Sequence, residues 1–121
     1  MTIFRLNERI DAGDVLLQRE APVAVGETLE ALSGRLAALG AELLVEGVEA
    51  IARGAAAFRA QDESMATYTT KLTKAHGQIR WTDDAVMIER QVRALNPWPG
   101  TFTRWQEQPL GAFTLVGRLA R

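Results

Sequence analysis

An α/β fold in two parts is predicted, and three observations predict it. Two runs that favour β-structure, residues 2–7 and 15–23, flank a tight acidic turn. A leucine-periodic helix fills residues 28–54, and a second amphipathic helix precedes β-branched and aromatic segments near the end. The 121 residues, 47% hydrophobic and 24% charged, suit a folded globular chain, and the absence of cysteine excludes a disulfide scaffold or a zinc ribbon.

The elements follow in order. Thr-Ile-Phe-Arg-Leu-Asn at 2–7 alternates as a strand does, and the apolar run from Val15 through Leu17 toward Val23 reads as a strand covered on both faces. Between them, Asp11-Ala12-Gly13-Asp14 is a turn, since Gly accepts positive φ and Asp bonds its own backbone. From Thr28, a capping residue, Leu29, Leu32, Leu36, Leu39 and Leu43 recur at spacings of three and four, with Leu44, Val48 and Ile51 continuing the stripe after a small rotation. Gly54 closes the helix, and the drifting stripe predicts an intrachain core face in place of a coiled-coil seam.

Residues 55–81 hold no sustained period and read as a linker pinned by isolated side chains, with Tyr68, Leu72 and Trp81 as packing residues. Thr82-Asp83-Asp84 opens the second helix, whose stripe is Ala85, Ile88, Val92 and Leu95, and Pro97 stops it at Asn96. Trp98, fixed between two prolines, reads as a packing residue. Residues 101–106 and 113–119 are expected to pair as a hairpin across a Pro/Gly-containing loop, and a lone hairpin needs a larger sheet or barrel.

Charge divides the chain. Residues 1–70 hold six basic and eleven acidic side chains, and residues 71–121 eight basic and four acidic, a net of −5 followed by +4. The basic part is the candidate for a polyanion, although a solvated face with spare arginines has the same composition. Glu42, Glu46 and Glu49 break the most apolar region, so no membrane span is expected; with no basic-then-apolar start, a cytoplasmic protein is. His76, the single histidine, lies in a polar stretch without other ligands at metal spacing, so no metal is predicted and an exposed loop position is. No Gly-x-Ser-x-Gly elbow, phosphate-binding glycine loop or cysteine nucleophile is present. Asp11 then has two readings: an ordinary Asx-type turn, or a carboxylate at a strand end that orients a histidine or a water.

Four segments carry a resemblance. Ile10-Asp11-Ala12-Gly13-Asp14-Val15-Leu16-Leu17-Gln18, the helix segment from Arg35-Leu36 to Leu43-Leu44, Ala66-Thr67-Tyr68-x-x-Lys71-Leu72-Thr73-Lys74 with Gly77-x-Ile79-x-Trp81, and Arg93-Ala94-Leu95-Asn96-Pro97-Trp98-Pro99-Gly100 stand in the order found in methionyl-tRNA formyltransferase, which the chain resembles along essentially its whole length. The resemblance implies formyl transfer from 10-formyltetrahydrofolate to the amino group of methionyl-tRNA in translation initiation. It further implies that residues 1–57 form the C-terminal part of a Rossmann-like formyltransferase catalytic domain, 58–80 a linker, and 81–121 the start of an OB-like β-barrel domain that holds tRNA.

On the same resemblance Asp11 matches the family's catalytic aspartate, which supports a catalytic histidine while an asparagine stabilises the oxyanion. That Asn, that His and the His-x-Ser-Leu-Leu-Pro segment around them are absent from the 121 residues, as are the remaining barrel strands. The resemblance therefore implies a piece of the enzyme, inactive alone and prone to self-association through uncovered surfaces. Lys71, Lys74, Arg80, Arg90 and Arg93 would face the acceptor end of tRNA, and Trp98 and Trp105 could stack on bases. Asn7, Arg9 and Ala12 depart from the family pattern around the turn, and Arg9 could pair with Asp11 or Asp14. Formyltransferases acting on nucleotide-linked amino sugars carry a similar Arg-x-Asp-Ala-Gly turn. The reading from another class is a non-catalytic module that binds RNA or a partner.

Overall fold

The computed structural model describes residues 1–112. Two compact units emerge: Met1–Val23 with Ser33–Thr69, and Ala24–Leu32 with the residues from Thr70 onward.

In the first unit β1 (Thr2–Phe4) and β2 (Val15–Gln18) pair antiparallel, with Ile3 opposite Leu17 and a register shift between Ile3 and Phe4. Both strands are shorter than the sequence predicts, and the apolar residues beyond them, Leu6 and Val23, stay exposed. The long helix α1 (Leu29–Ala52) is capped by Thr28 Oγ1, which accepts from the Ala31 N–H at 3.3 Å, and ends at Gly54 with φ +67. Leu43 is 1% exposed, and Gly47 is buried where a Cβ would come within 3.1 Å of Leu16 and 3.7 Å of Ile3. Leucine and glycine one turn apart thus let β1 and β2 approach the helix closely.

The covered stripe of α1 corrects the predicted one. Along one line of the helix Leu43 and Gly47 are buried and Leu32, Leu36 and Leu39 half-buried, whereas Leu44, Val48 and Ile51 are 53%, 58% and 53% exposed. A two-stranded sheet is too narrow to cover both faces, and the second apolar face remains open.

After α1 the backbone returns to β2, where Val15 and Arg59 exchange hydrogen bonds of 2.8 and 2.9 Å and so add one rung to the ladder. A short 3-10 turn at Glu63–Met65 follows, with Asp62 capping the Ser64 N–H at 3.0 Å. Tyr68 and Leu72, expected to pack, are 84% and 46% exposed.

The second unit opens on a 3-10 turn, Lys74–Gly77, and continues with α2 (Ala85–Leu95), whose cap Asp84 accepts from the Met87 N–H at 2.9 Å. Val92 is buried and Ile88 and Leu95 are partly covered, as the stripe predicts; Ala85 faces outward. Strands β3 (Thr101–Trp105) and β4 (Gln108–Ala112) form an antiparallel hairpin in which Thr101 faces Ala112 and Trp105 faces Gln108. Its two turn residues, Gln106 and Glu107, both have positive φ, the hand that matches strand twist.

The hairpin corrects the sequence reading. Its second strand runs through Pro109 and Gly111, read above as loop punctuation; the expected strand at 113–119 lies outside the described residues. Among the described residues the second strand has no further neighbour, which leaves it ladder positions that need no N–H and so tolerates Pro109. Among the described residues, β3 and β4 make a two-stranded sheet and no closed barrel.

Two motif segments meet in this unit. The Ile79 N–H donates to Phe102 O at 2.8 Å, the Trp81 indole N–H donates to Thr103 Oγ1 at 2.8 Å, and a Cβ on Gly77 would lie 1.9 Å from Gly100 O. Trp81 is therefore anchored through its N–H while its ring remains 70% exposed. Ile79, Val92 and Thr101 form the small core. Gln91 on α2 donates from Nε2 to the carbonyls of His76 and Gln78, at 2.9 and 3.2 Å.

Candidate active site

The acidic turn between β1 and β2 is built by crowding. Gly13 is buried against Arg5, and a Cβ there would fall 1.5 Å from Arg5 O, so no other residue fits without moving the strand. The Arg5 N–H donates to Asp14 O at 2.9 Å, its guanidinium holds Asp14 Oδ2 at 2.6 Å, and the same guanidinium lies 4.9 Å from the Phe58 ring centre. Asp14 is thereby committed to the fold. Asp11, exposed at the crest with φ 52, has no ion-pair partner among the described residues.

Arg9 pairs with neither turn aspartate. Its guanidinium meets Glu63 in the 3-10 turn, which raises the arginine's affinity for its proton and holds the Glu63 carboxyl below its ordinary value of 4.5. Asp62 is likewise lowered from 3.8 by hydrogen bonds from Ser64. Gln61, between these groups, donates from Nε2 to Asp11 O at 2.8 Å and to Gly13 O at 2.7 Å. Gln61 and Glu63 were not legible as site residues, since they stand about 50 positions from the turn and carry no motif.

The turn and the returning chain border an open cleft of about 690 Å³, with Asp11, Arg9, Arg59, Gln61, Met65 and Tyr68 along it. An exposed carboxylate at the lip of such a cleft can orient and stabilise a cation that approaches it, an imidazolium or an ammonium.

The predicted basic residues lie in the second unit with unequal freedom. Lys71, Lys74 and Arg90 are exposed and have no ion-pair partner among the described residues. Arg80, its side chain 77% exposed, shares its charge with Asp83 at 3.2 Å and lines a cavity of about 590 Å³ with His76 and Gln91. Arg93 is the exception. Its side chain is 15% exposed, pairs with Glu89 and donates to Glu27 O at 2.7 Å, which ties residues 24–32 to α2. His76 is exposed, as expected, and its Nδ1 accepts from the Thr73 N–H at 2.9 Å as a local cap. Trp98 is 57% and Trp105 70% exposed, so Trp98 is not the packed anchor its flanking prolines suggest. Among the described residues no cluster of three metal-ligating side chains occurs, and no helix is long and apolar enough to cross a membrane.

Comparison with known proteins places both units. Residues 1–48 match the formyl transferase family, and residues 71–116 match the formyl transferase C-terminal domain. Methionyl-tRNA formyltransferase of Marinobacter nauticus is 42% identical over 108 residues, 89% of this chain and 35% of that protein. The Coxiella burnetii enzyme of the same name is 39% identical over 110 residues, again 35% of its length. The chain thus spans about a third of the curated relatives it matches. Among solved structures, HypX from Aquifex aeolicus superposes with a TM-score of 0.76 at 23% identity, over 93% of this chain and 21% of that one. A sugar N-formyltransferase-like protein from Mycobacterium tuberculosis gives 0.75 at 16% identity, over 93% and 51%. At those identities the likeness is one of fold.

Proposed function

The chain belongs to the formyl transferase family, and from that premise we propose that it serves formyl transfer from 10-formyltetrahydrofolate to the amino group of methionyl-tRNA, in the cytoplasm, at translation initiation. Residues 1–57 close the catalytic domain, 58–80 link, and 81–121 begin an OB-like domain that holds tRNA. The observation that carries the reading is the 42% identity to a methionyl-tRNA formyltransferase across 89% of the chain.

Asp11 is the chain's contribution to the chemistry. Asp14 and Glu63 are committed to Arg5 and Arg9, so the Asp11 carboxylate is the turn charge left to hold a protonated imidazole or the incoming amine. The formyl donor supplies the transferred carbon. The adjoining cleft, about 690 Å³ with Tyr68 and Met65 beside Arg9 and Arg59, has the size and mixed lining that a flat, partly anionic ligand requires. The histidine and asparagine implied for the reaction are not among the 121 residues; the one histidine, His76, belongs to the second unit and is occupied by Thr73. The chain alone is therefore expected to turn nothing over. Lys71, Lys74, Arg80 and Arg90 supply exposed positive charge for tRNA phosphates, and Arg93 holds α2 in place behind them.

The test is a chimera in which this chain replaces the matching third of the Marinobacter nauticus relative. Formylation of methionyl-tRNA by the chimera, its loss in Asp11→Ala, and no turnover by the 121-residue chain are expected. Turnover with a nucleotide-linked amino sugar alone would reassign the acceptor, and salt-dependent tRNA binding with no turnover in the chimera would favour a non-catalytic module.

A further inference from the structure

We propose that Gln61 is a positioning residue for Asp11, its side-chain amide holding the acidic turn in the backbone state that presents the carboxylate; this rests on the role given to Asp11 above. A non-glycine residue at φ 52 sits in the left-handed region, which costs on the order of 1 kcal/mol in an unrestrained chain. Something has to hold it there. The ion pair of Arg5 with Asp14 fixes the far side of the turn but touches no atom of Asp11.

Gln61 makes the contact. One amide nitrogen reaches Asp11 O at 2.8 Å and Gly13 O at 2.7 Å, so both of its hydrogens are used and the amide plane is set. The two carbonyls bracket Ala12, and tying them together prevents the Asp11–Ala12 peptide from rotating back to a right-handed turn. Gln61 is itself immobilised from both sides. Arg59 is laddered to Val15 two residues before it, and Asp62 and Glu63 after it are engaged by Ser64 and by Arg9, a residue of the same turn region. The stretch from Arg59 to Ser64, which has the composition of a linker, is therefore the outer support of the Asp11 carboxylate, and it touches the turn through backbone carbonyls without entering the chemistry.

The experiment has two readouts. In the 121-residue chain, Gln61→Leu and the isosteric Gln61→Glu, which turns two donors into acceptors facing carbonyls, should move the Asp11 amide and Cα resonances out of left-handed values. Gln61→Lys, whose ammonium can still donate to both carbonyls, should restore them in part. Unchanged Asp11 shifts in Gln61→Leu overturn the proposal whatever the enzyme does. In the chimera, the Leu and Glu variants should lower kcat by roughly 10- to 100-fold with KM for methionyl-tRNA unchanged, and Lys should recover part of the loss. If Asp11→Ala abolishes turnover while Gln61→Leu does not, the positioning role fails and the role of Asp11 survives; if Asp11→Ala is fully active, both fall.

Discussion

Replacing Gly77 by alanine would probe the junction at which two motif segments meet. The new Cβ would stand 1.9 Å from Gly100 O and 3.1 Å from the carbonyl carbon, about 1.5 Å short of the 3.4 Å at which ordinary contact begins. Neither wall is soft. The Gly100 N–H is bonded to Leu95 O at 2.8 Å with φ +78, Thr101 is 6% exposed, and Ile79 is held to Phe102. Overpacking of this kind costs about 1–3 kcal/mol or more, against roughly 0.4–1 kcal/mol returned by the stiffer unfolded chain. A net loss of about 2 kcal/mol corresponds to a fall in Tm on the order of 10 °C for a unit of this size. Trp81, Trp98 and Trp105 all belong to the second unit, so tryptophan emission follows that unit selectively on heating. Gly34→Ala, at an exposed helical position with nothing within 4 Å of the new Cβ, should instead stabilise α1 by about 1 kcal/mol, seen by far-UV circular dichroism. An unchanged or raised tryptophan transition in Gly77→Ala would refute the close approach.

Three further outcomes are expected. Lys71→Ala, Lys74→Ala and Arg90→Ala should each weaken tRNA binding and flatten its salt dependence by about one unit of slope, whereas Arg93→Ala should chiefly destabilise α2; gel-shift titrations at several salt concentrations separate the two effects. Glu63 and Asp62 have lowered carboxyl pKa values, so their contribution is complete above their ordinary values of 4.5 and 3.8 and disappears as pH falls through the lowered ones. Residues 59–66 should then lose native amide shifts below about pH 4 while α1 keeps its own, and simultaneous loss would contradict this. The open face of α1 should drive self-association, with Leu44, Val48 and Ile51 exposed; Val48→Glu should shift sedimentation toward monomer, and a monomeric parent at high concentration would dismiss the face as an interface.

What was legible in the sequence was local. Caps at Thr28 and Asp84, the stops at Gly54 and Pro97 and the three-four spacing of leucines fix both helices, because each rests on neighbours within one or two turns. The second face of α1 was misread because periodicity reports apolarity, and only the width of the opposing sheet decides which apolar residues become covered. Pro109 and Gly111 punctuate a loop in most contexts; in a strand that pairs on one side only among the described residues they do not. The acidic turn was visible and its anchor was not, since the bond from Gln61 to Asp11 spans 50 residues of chain without a motif. The choice of Arg9 for Glu63 over either aspartate belongs to the same class of contact.

Each unit carries a glutamine amide laid across two carbonyls with one residue between them: Gln61 over Asp11 and Gly13, Gln91 over His76 and Gln78. At both places shape is irrelevant and polarity is everything. Glutamate, the nearest residue in volume and the product of spontaneous amide hydrolysis, is there the least tolerable occupant, since it presents lone pairs to lone pairs. Slow deamidation in ageing or alkaline samples would therefore act as a chemical mutagen, loosening the acidic turn and the Gly77 junction without altering the outline of either side chain.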